Sequence, residues 1–189
     1  MQNLLQGHQS GRVEMISSSA EHIRIELETP ELLAGKLNAF VSEHWPSGEY
    51  DRDAMAFFLS CFETGGDAAQ GWYGWYAINI DATQGARALV GAGGYFGPPN
   101  ADGIVEIGYS VLPEWQRRGY ATEMVNMLVA HATSFDNVSK IIAHTSAENI
   151  ASVNVLTSCG FKIVGAFEAK SEDKSEGNLR FEYLNGNLG

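Results

Sequence analysis

The 189-residue sequence predicts an α/β (α+β) fold: a mixed, mostly antiparallel twisted sheet of about seven strands with helices on both faces. Three observations carry this expectation. Strand patterns follow one another from Trp72 to Leu112 across short turns, which favours an antiparallel meander. A strand, an amphipathic helix and another strand run from Ile104 to Thr145, which favours a right-handed parallel crossover. The length, at roughly 150 residues per domain, matches one domain with a short appendage. We therefore assign 1–20 to a flexible N-terminal tail and 21–189 to a single domain.

The elements follow in order. His22 to Glu28 alternates polar and apolar residues, the period of a half-buried strand. Thr29 and Pro30 read as the cap and first position of a helix carrying Leu33, Leu37, Phe40 and Val41 on one side. His44 to Gly48 breaks it, and Asp51 to Phe62 forms a second helix with Met55, Phe58, Leu59 and Phe62 on one face. Trp72 to Ile80, Ala88 to Phe96 and Ile104 to Leu112 are strands. Ala121, Met124, Val125, Leu128 and Ala132 then form an apolar stripe at helical spacing. Lys140 to Thr145 is a strand and Asn149 to Ser158 a short helix, which Gly160 ends. Phe161 to Phe167 and Leu179 to Leu184 are the last strands, joined by the polar loop Lys170 to Gly177.

Composition removes several functions. Twelve Lys and Arg stand against 23 Asp and Glu, a formal charge of −11, so nucleic acid and anionic membrane surfaces are disfavoured partners. Two cysteines do not make a disulfide scaffold. Met1 to Ala20 lacks the apolar core of a signal peptide, and no apolar run approaches the roughly 20 residues that span a bilayer, so a cytoplasmic protein is expected. There is no Gly-x-x-x-x-Gly-Lys phosphate loop and no metal-ligand spacing among the five histidines, so no metal is expected. Gly91 to Gly97 nearly spells a dinucleotide fingerprint, but its third glycine is one place late and Pro98-Pro99 follows. A bulged strand with a close backbone contact is the better reading.

Gln116-Arg117-Arg118-Gly119-Tyr120-Ala121 is the most informative stretch. It follows a strand and opens the strongest helix. Such a junction exposes amides that no helical carbonyl satisfies, and the helix dipole adds positive character, which together suit a phosphate or pyrophosphate. Gly119 leaves room for the anion to approach, and two arginines supply cations.

This stretch resembles the pyrophosphate signature Gln/Arg-x-x-Gly-x-Gly/Ala of the GNAT superfamily of acyl-CoA-dependent N-acetyltransferases. Glu106 to Glu114 looks like the family's central strand and the turn after it. Asn149-Ile150-Ala151-Ser152 with Cys159-Gly160-Phe161 resembles its second CoA-contacting segment. The Trp75-Tyr76 and Glu106-Ile107-Gly108-Tyr109 phrases look like the branch of ribosomal-protein alanine and serine N-acetyltransferases.

The resemblance implies the GNAT fold with a splayed parallel strand pair near Leu112 and Thr145. Acetyl-CoA is then the co-substrate, and a primary amine of a small molecule or peptide N-terminus the acceptor. A homodimer is among the expected assemblies. The amides of Arg117, Arg118, Gly119, Tyr120, Ala121 and Thr122 would hold the pyrophosphate, with Gln116 also among the cofactor-binding residues. Val111 and Leu112 would pair with the pantetheine arm, and Asn149 and Ser152 would hydrogen-bond the cofactor. Glu106 would be the base and His144 the second candidate. Many members carry a Tyr acid four residues before the Gly-Phe glycine. Here that position is Leu156, so Tyr109, Ser110 or water takes the role, or the step runs unassisted. Leu156 also keeps open a second reading, a silent acyl-CoA-binding sensor or scaffold. Acceptor recognition falls to Leu32 to Gly71 and the Lys170 to Gly177 loop, with Trp45, Tyr50, Trp72 and Trp75 as pocket or core aromatics.

Overall fold

A computed structural model describes residues 7–46, 48, 50–168 and 177–186. Among the described residues eight strands form one sheet, in the order β1-β2-β3-β4-β5-β6-β8-β7. They are β1 (Gly7–Ser10), β2 (Val13–Ser17), β3 (Gly74–Asn79), β4 (Ala88–Tyr95), β5 (Ile104–Val111), β6 (Lys140–Ser146), β7 (Lys162–Glu168) and β8 (Gly177–Leu184). Every neighbouring pair is antiparallel except β5 with β6. The parallel pair is joined by α4 (Tyr120–Thr133), as the crossover pattern requires.

Helices cover both faces. Beneath one face, α4 buries Met124, Val125, Leu128 and Ala132 against Val13, Met15, Trp75, Val105 and Ile107. This is the stripe read from the sequence, with Ala121 half-buried at its start. α5 (Ile150–Ser158) adds Leu156 to the same core. On the other face lie α1 (Ala20–Glu28), α2 (Leu33–Leu37) and α3 (Arg52–Gly65). There Leu33 and Leu37 pack on Tyr76, Ile78 and Leu89, while Ile23 packs with Met55 and Phe62. Among the described residues no helix is long and apolar enough to cross a membrane.

Three expectations are corrected. The stretch 7–17, assigned to a loose tail, is a hairpin that extends the sheet, and Val13 and Met15 are buried under α4. Its alternation, Val13-Glu14-Met15-Ile16-Ser17, lay inside a Ser- and Gln-rich context that masked it. The hairpin's two strands, with the loss of the strand expected at His22 to Glu28, bring the count among the described residues from seven to eight.

His22 to Glu28 is helix, not strand. Ser19 caps α1 by accepting from the His22 amide, and the buried residues His22, Ile23 and Glu26 recur at helical spacing. The period-2 reading failed because two of those three inward residues are polar. Finally, α2 ends at Asn38 in the left-handed region, so Phe40 leaves the helix and bridges to Ala88 of the sheet.

The Gly91 to Gly97 run is the bulged strand expected. The register passes from Ala77↔Gly91 to Ile78↔Leu89, so Val90 is the extra residue. A Cβ on Gly91 would stand 2.2 Å from the Ser110 carbonyl oxygen, so only glycine lets β5 approach there.

His22 is buried, and that burial, with the Lys36 charge adding to it, pushes its pKa down to about 4 from an ordinary 6.5. Between these values the unfolded chain binds a proton that the folded chain refuses, so acid favours unfolding. Stability is expected to fall by up to about 3 kcal/mol as pH drops through that window. Urea unfolding of His22→Gln across the same window should show a flatter dependence than the parent.

Candidate active site

β5 and β6 pair at three positions, Ile104↔Lys140, Val105↔Ile141 and Glu106↔Ile142. Beyond them β5 stays with β4 as far as Val111, and β6 stays with β8 as far as Ser146. A cleft opens between the two strands, and a cavity of about 760 Å³ lies at the branch. The Leu112 amide donates to the Val90 carbonyl at 2.8 Å, and the Glu106 carbonyl accepts from the Phe96 amide at 3.1 Å. Even-numbered residues of β5 therefore address β4. Strand alternation turns the amides and carbonyls of Ile107, Tyr109 and Val111 toward the cleft. Gln116 Nε2 donates to the Val111 carbonyl at 3.0 Å and ties the end of β5 to the next loop.

Side chains divide by the same alternation. Glu106 and Ser110 share one face of β5. Glu106 Oε1 lies 2.7 Å from His144 Nδ1 on β6, and both side chains are partly exposed to the cavity, at 34% and 26%. Tyr109 points to the other face, where its hydroxyl lies 2.9 Å from Ser152 Oγ on α5. Burial pushes the Tyr109 pKa up to about 12, so its hydroxyl keeps its proton. Ser152 stands one helical turn before Leu156, so the Tyr109 hydroxyl reaches the helix that carries Leu156, one turn earlier. Asn149 caps α5, its Oδ1 accepting from the Ser152 amide at 3.1 Å.

The start of α4 forms a second feature downstream of β5. Arg117 and Gly119 both take positive φ, +59° and +86°. Alternating handedness of this kind curls successive amides around a concavity that suits an anion. Among the described residues no protein acceptor engages the amides of Arg117 to Thr122, and the first bonded amide is that of Glu123, to the Gly119 carbonyl at 3.2 Å. Tyr120 anchors the turn through its hydroxyl, which donates to Asn79 Oδ1 at 2.9 Å. Arg118 lies over the Trp115 ring at 5.0 Å. These residues fit the pyrophosphate and the extended arm of acetyl-CoA: free amides at the helix start, and unpaired strand edges leading from it into the cleft.

The structure thus brings Glu106, His144, Tyr109, Ser110, Asn149 and Ser152 to one cavity. Leu112 differs from expectation, because it is fully buried and its amide is already bonded to Val90. Tyr50 lines the cavity and Trp75 borders it, but Trp75 and Trp72 both belong to the core under α4, and Trp45 is held behind the wall by Glu26. Most of the Lys170 to Gly177 loop, 170–176, lies outside the described residues. Among the described residues no cluster of three metal-ligating side chains occurs.

Sequence reasoning missed two residues. Arg12, from the β1–β2 turn, pairs with Glu123, donates to the Arg118 carbonyl at 3.0 Å and lies 5.4 Å from the Tyr120 ring centre, so it buttresses the anion-binding turn. Its distance of over a hundred positions from that turn leaves no local signal. Glu26 is buried behind the cavity wall, and only its place on a helical rather than an extended pattern would have turned it inward.

A Cβ on Gly119 would stand 3.0 Å from Arg12 Nη2, in a left-handed conformation. Gly119→Ala is expected to lower stability by about 1–3 kcal/mol, read by urea unfolding. An unchanged midpoint would contradict the turn geometry.

The chain is similar to an uncharacterised N-acetyltransferase, YjdG of Bacillus subtilis (strain 168), with 27% identity over 117 residues. That match takes in 62% of the chain and 66% of the relative, just under two thirds of its length. In fold it resembles a GNAT-family acetyltransferase from Bacillus anthracis, with a TM-score of 0.63, 16% identity and 95% and 99% of the two chains covered. It also resembles RimL, a ribosomal alpha-N-protein acetyltransferase, with a TM-score of 0.61, 14% identity and 93% and 91% covered. The family model of the acetyltransferase (GNAT) domain matches residues 23–162. With well over half of its 189 residues under that model, the chain belongs to the GNAT acetyltransferase family.

Proposed function

We propose that the chain transfers an acetyl group from acetyl-CoA directly to a primary amine, both bound at once. The observation that carries this reading is the branch of β5 from β6, with Glu106–His144 on one side of the strand and Tyr109–Ser152 on the other. Acetyl-CoA supplies an acyl group already activated as a thioester. Its pyrophosphate would rest on the amides of Arg117 to Thr122 and its arm along the cleft-facing edge of β5.

An alkyl amine is mostly protonated at neutral pH and cannot attack until it loses a proton. Glu106 is on the face of β5 that leaves the acceptor side open, and its carboxylate takes that proton. His144, hydrogen-bonded to it, fixes its rotamer and shares the proton. The cleft-facing amide of Val111 is placed to stabilise negative charge developing on the carbonyl oxygen. Tyr109, protonated because it is buried, donates to the departing sulfur from the opposite face, with Ser152 orienting its hydroxyl. The Tyr absent at Leu156 is thereby replaced from the strand rather than from the helix.

Two variants test the division of roles in a thiol-release assay with acetyl-CoA and a panel of amines. Glu106→Gln should lower kcat by about 10²–10⁴-fold, most severely at acidic pH, with the KM for acetyl-CoA kept. Tyr109→Phe should lower kcat by about 10–100-fold, the loss of one hydrogen bond to a charged group. Parent rates in both variants would remove this mechanism. Acetyl-CoA binding without turnover across the panel would instead favour a sensor.

A further inference from the structure

We propose that the acceptor is a primary amine carried on an apolar, ring-sized carbon skeleton, and that Glu26 positions the wall on which that skeleton packs. The inference rests on the N-acetyltransferase reading of the cleft and goes beyond it to the acceptor's chemical class.

The wall is aromatic, and its polar tips are turned away. Tyr50, Phe58, Tyr76 and Phe96 line the cavity. The Tyr50 and Tyr76 hydroxyls both donate to Glu26 Oε2 at 2.6 Å, and Trp45 Nε1 donates to Glu26 Oε1 at 2.9 Å. Glu26 itself is 8% exposed and does not line the cavity. With its hydroxyl engaged behind the wall, Tyr50 offers ring carbon to the cavity, and Tyr76, 1% exposed, backs that wall from the core. Phe96 completes the surface beside the base: its amide donates to the Glu106 carbonyl, and its ring lies 3.3 Å from where a Gly108 Cβ would stand. Gly108 alternates between Glu106 and Ser110, so the Phe96 ring rests on the same face as the carboxylate.

Among the described residues the ionisable acid and imidazole of the lining are Glu106 and His144, and the Phe96 ring lies beside Glu106 on the same face of β5. A ligand with an ammonium at one end and an apolar ring at the other matches this distribution. The ammonium meets the carboxylate and the Phe96 face, and the ring replaces water against the aromatic wall.

Glu26 holds this surface from outside. Its three donors come from two elements, the segment between α2 and α3 (Trp45, Tyr50) and β3 (Tyr76). The same segment passes over β5 at Gly48, whose Cβ site is 3.6 Å from the Ser110 Cβ. Its far side is tied to the start of the next loop by His44 and Glu114, 3.3 Å apart. Burial raises the Glu26 pKa while the three donors pull it down, so the network forms one connected unit.

The test uses the whole chain with CoA bound and three probes: 2-phenylethylamine, ethylamine and spermidine. Calorimetry and thiol release should both favour 2-phenylethylamine, by about 10–100-fold over ethylamine, the yield of burying one ring. Glu26→Gln should raise the KM for 2-phenylethylamine about tenfold, while kcat and the KM for acetyl-CoA stay at parent values. Phe96→Ala, at a position 56% exposed and tolerant of truncation, should weaken the preference for the ring and decides the matter if Glu26→Gln fails to fold. A preference for ethylamine or spermidine overturns the inference. So does a Glu26→Gln variant in which kcat and the KM for acetyl-CoA move together with the amine KM. Binding of 2-phenylethylamine without acetyl transfer sustains the inference and removes the transferase reading. Turnover of other amines without 2-phenylethylamine binding does the reverse, and neither binding nor turnover removes both.

Discussion

Pairing between β5 and β6 ends after Glu106 and Ile142, and the rest of the site is arranged around that break. A parallel pair inside an eight-stranded sheet would ordinarily satisfy its backbone groups along its full length. Here β5 instead follows β4 and β6 follows β8, so each strand keeps one partner and exposes one edge. The bulge at Val90 and the missing Cβ at Gly91 let β5 stay close to β4 as it leaves β6. The exposed edge of β5 ends at Val111, where Gln116 holds its carbonyl and the free amides of α4 begin. Two stretches of unengaged backbone, the β5 edge before Leu112 and the amides of Arg117 to Thr122, thus flank a tightly bonded turn at 112–116, and an extended ligand with an anionic end could reach both.

Much of this was legible in the sequence, for identifiable reasons. The α4 stripe and the meander from β3 to β5 are strong periodic signals, and the Arg-Arg-Gly-Tyr-Ala junction lies where strand gives way to helix. Glu106 and His144 were each visible as candidates, but their contact across β5 and β6 is a register fact that a single strand pattern cannot supply. What escaped were elements whose inward residues are polar or whose partners are distant. The α1 helix was read as a strand because His22 and Glu26 face inward, and polar residues facing inward invert the apparent period. The β1–β2 hairpin was lost in a polar stretch, and with it Arg12, whose guanidinium supports a turn over a hundred residues away.

The net charge of −11 also acquires a local meaning. Arg12, Arg117 and Arg118 gather at the start of α4 in an otherwise acidic chain, but Arg12 is paired with Glu123 and Arg118 lies on Trp115. Attraction for an anion there would come chiefly from oriented amides, which cost no reorganisation, with the guanidinium groups of Arg12 and Arg118 bracing the turn. The global acidity disfavours a phosphate-rich polymer and says little about a phosphate-bearing small molecule.

The two faces of β5 then solve separate problems with the same alternation. In the proposed reaction Glu106 would accept a proton from the amine, and it sits partly exposed beside a histidine. Tyr109 must keep its proton, so it is buried against α5, where burial raises its pKa. Placed on one face, the two groups would share one environment, and the burial that protects the phenol would penalise the carboxylate. Glu26 shows the cost of that alternative. Behind the acceptor wall it is buried, its pKa is raised, and three donors are needed to hold it. A carboxylate in that state is suited to fixing rings in place and unsuited to exchanging protons with a substrate, so in the proposed reaction the group that shapes the cavity and the group that takes the proton would be different carboxylates.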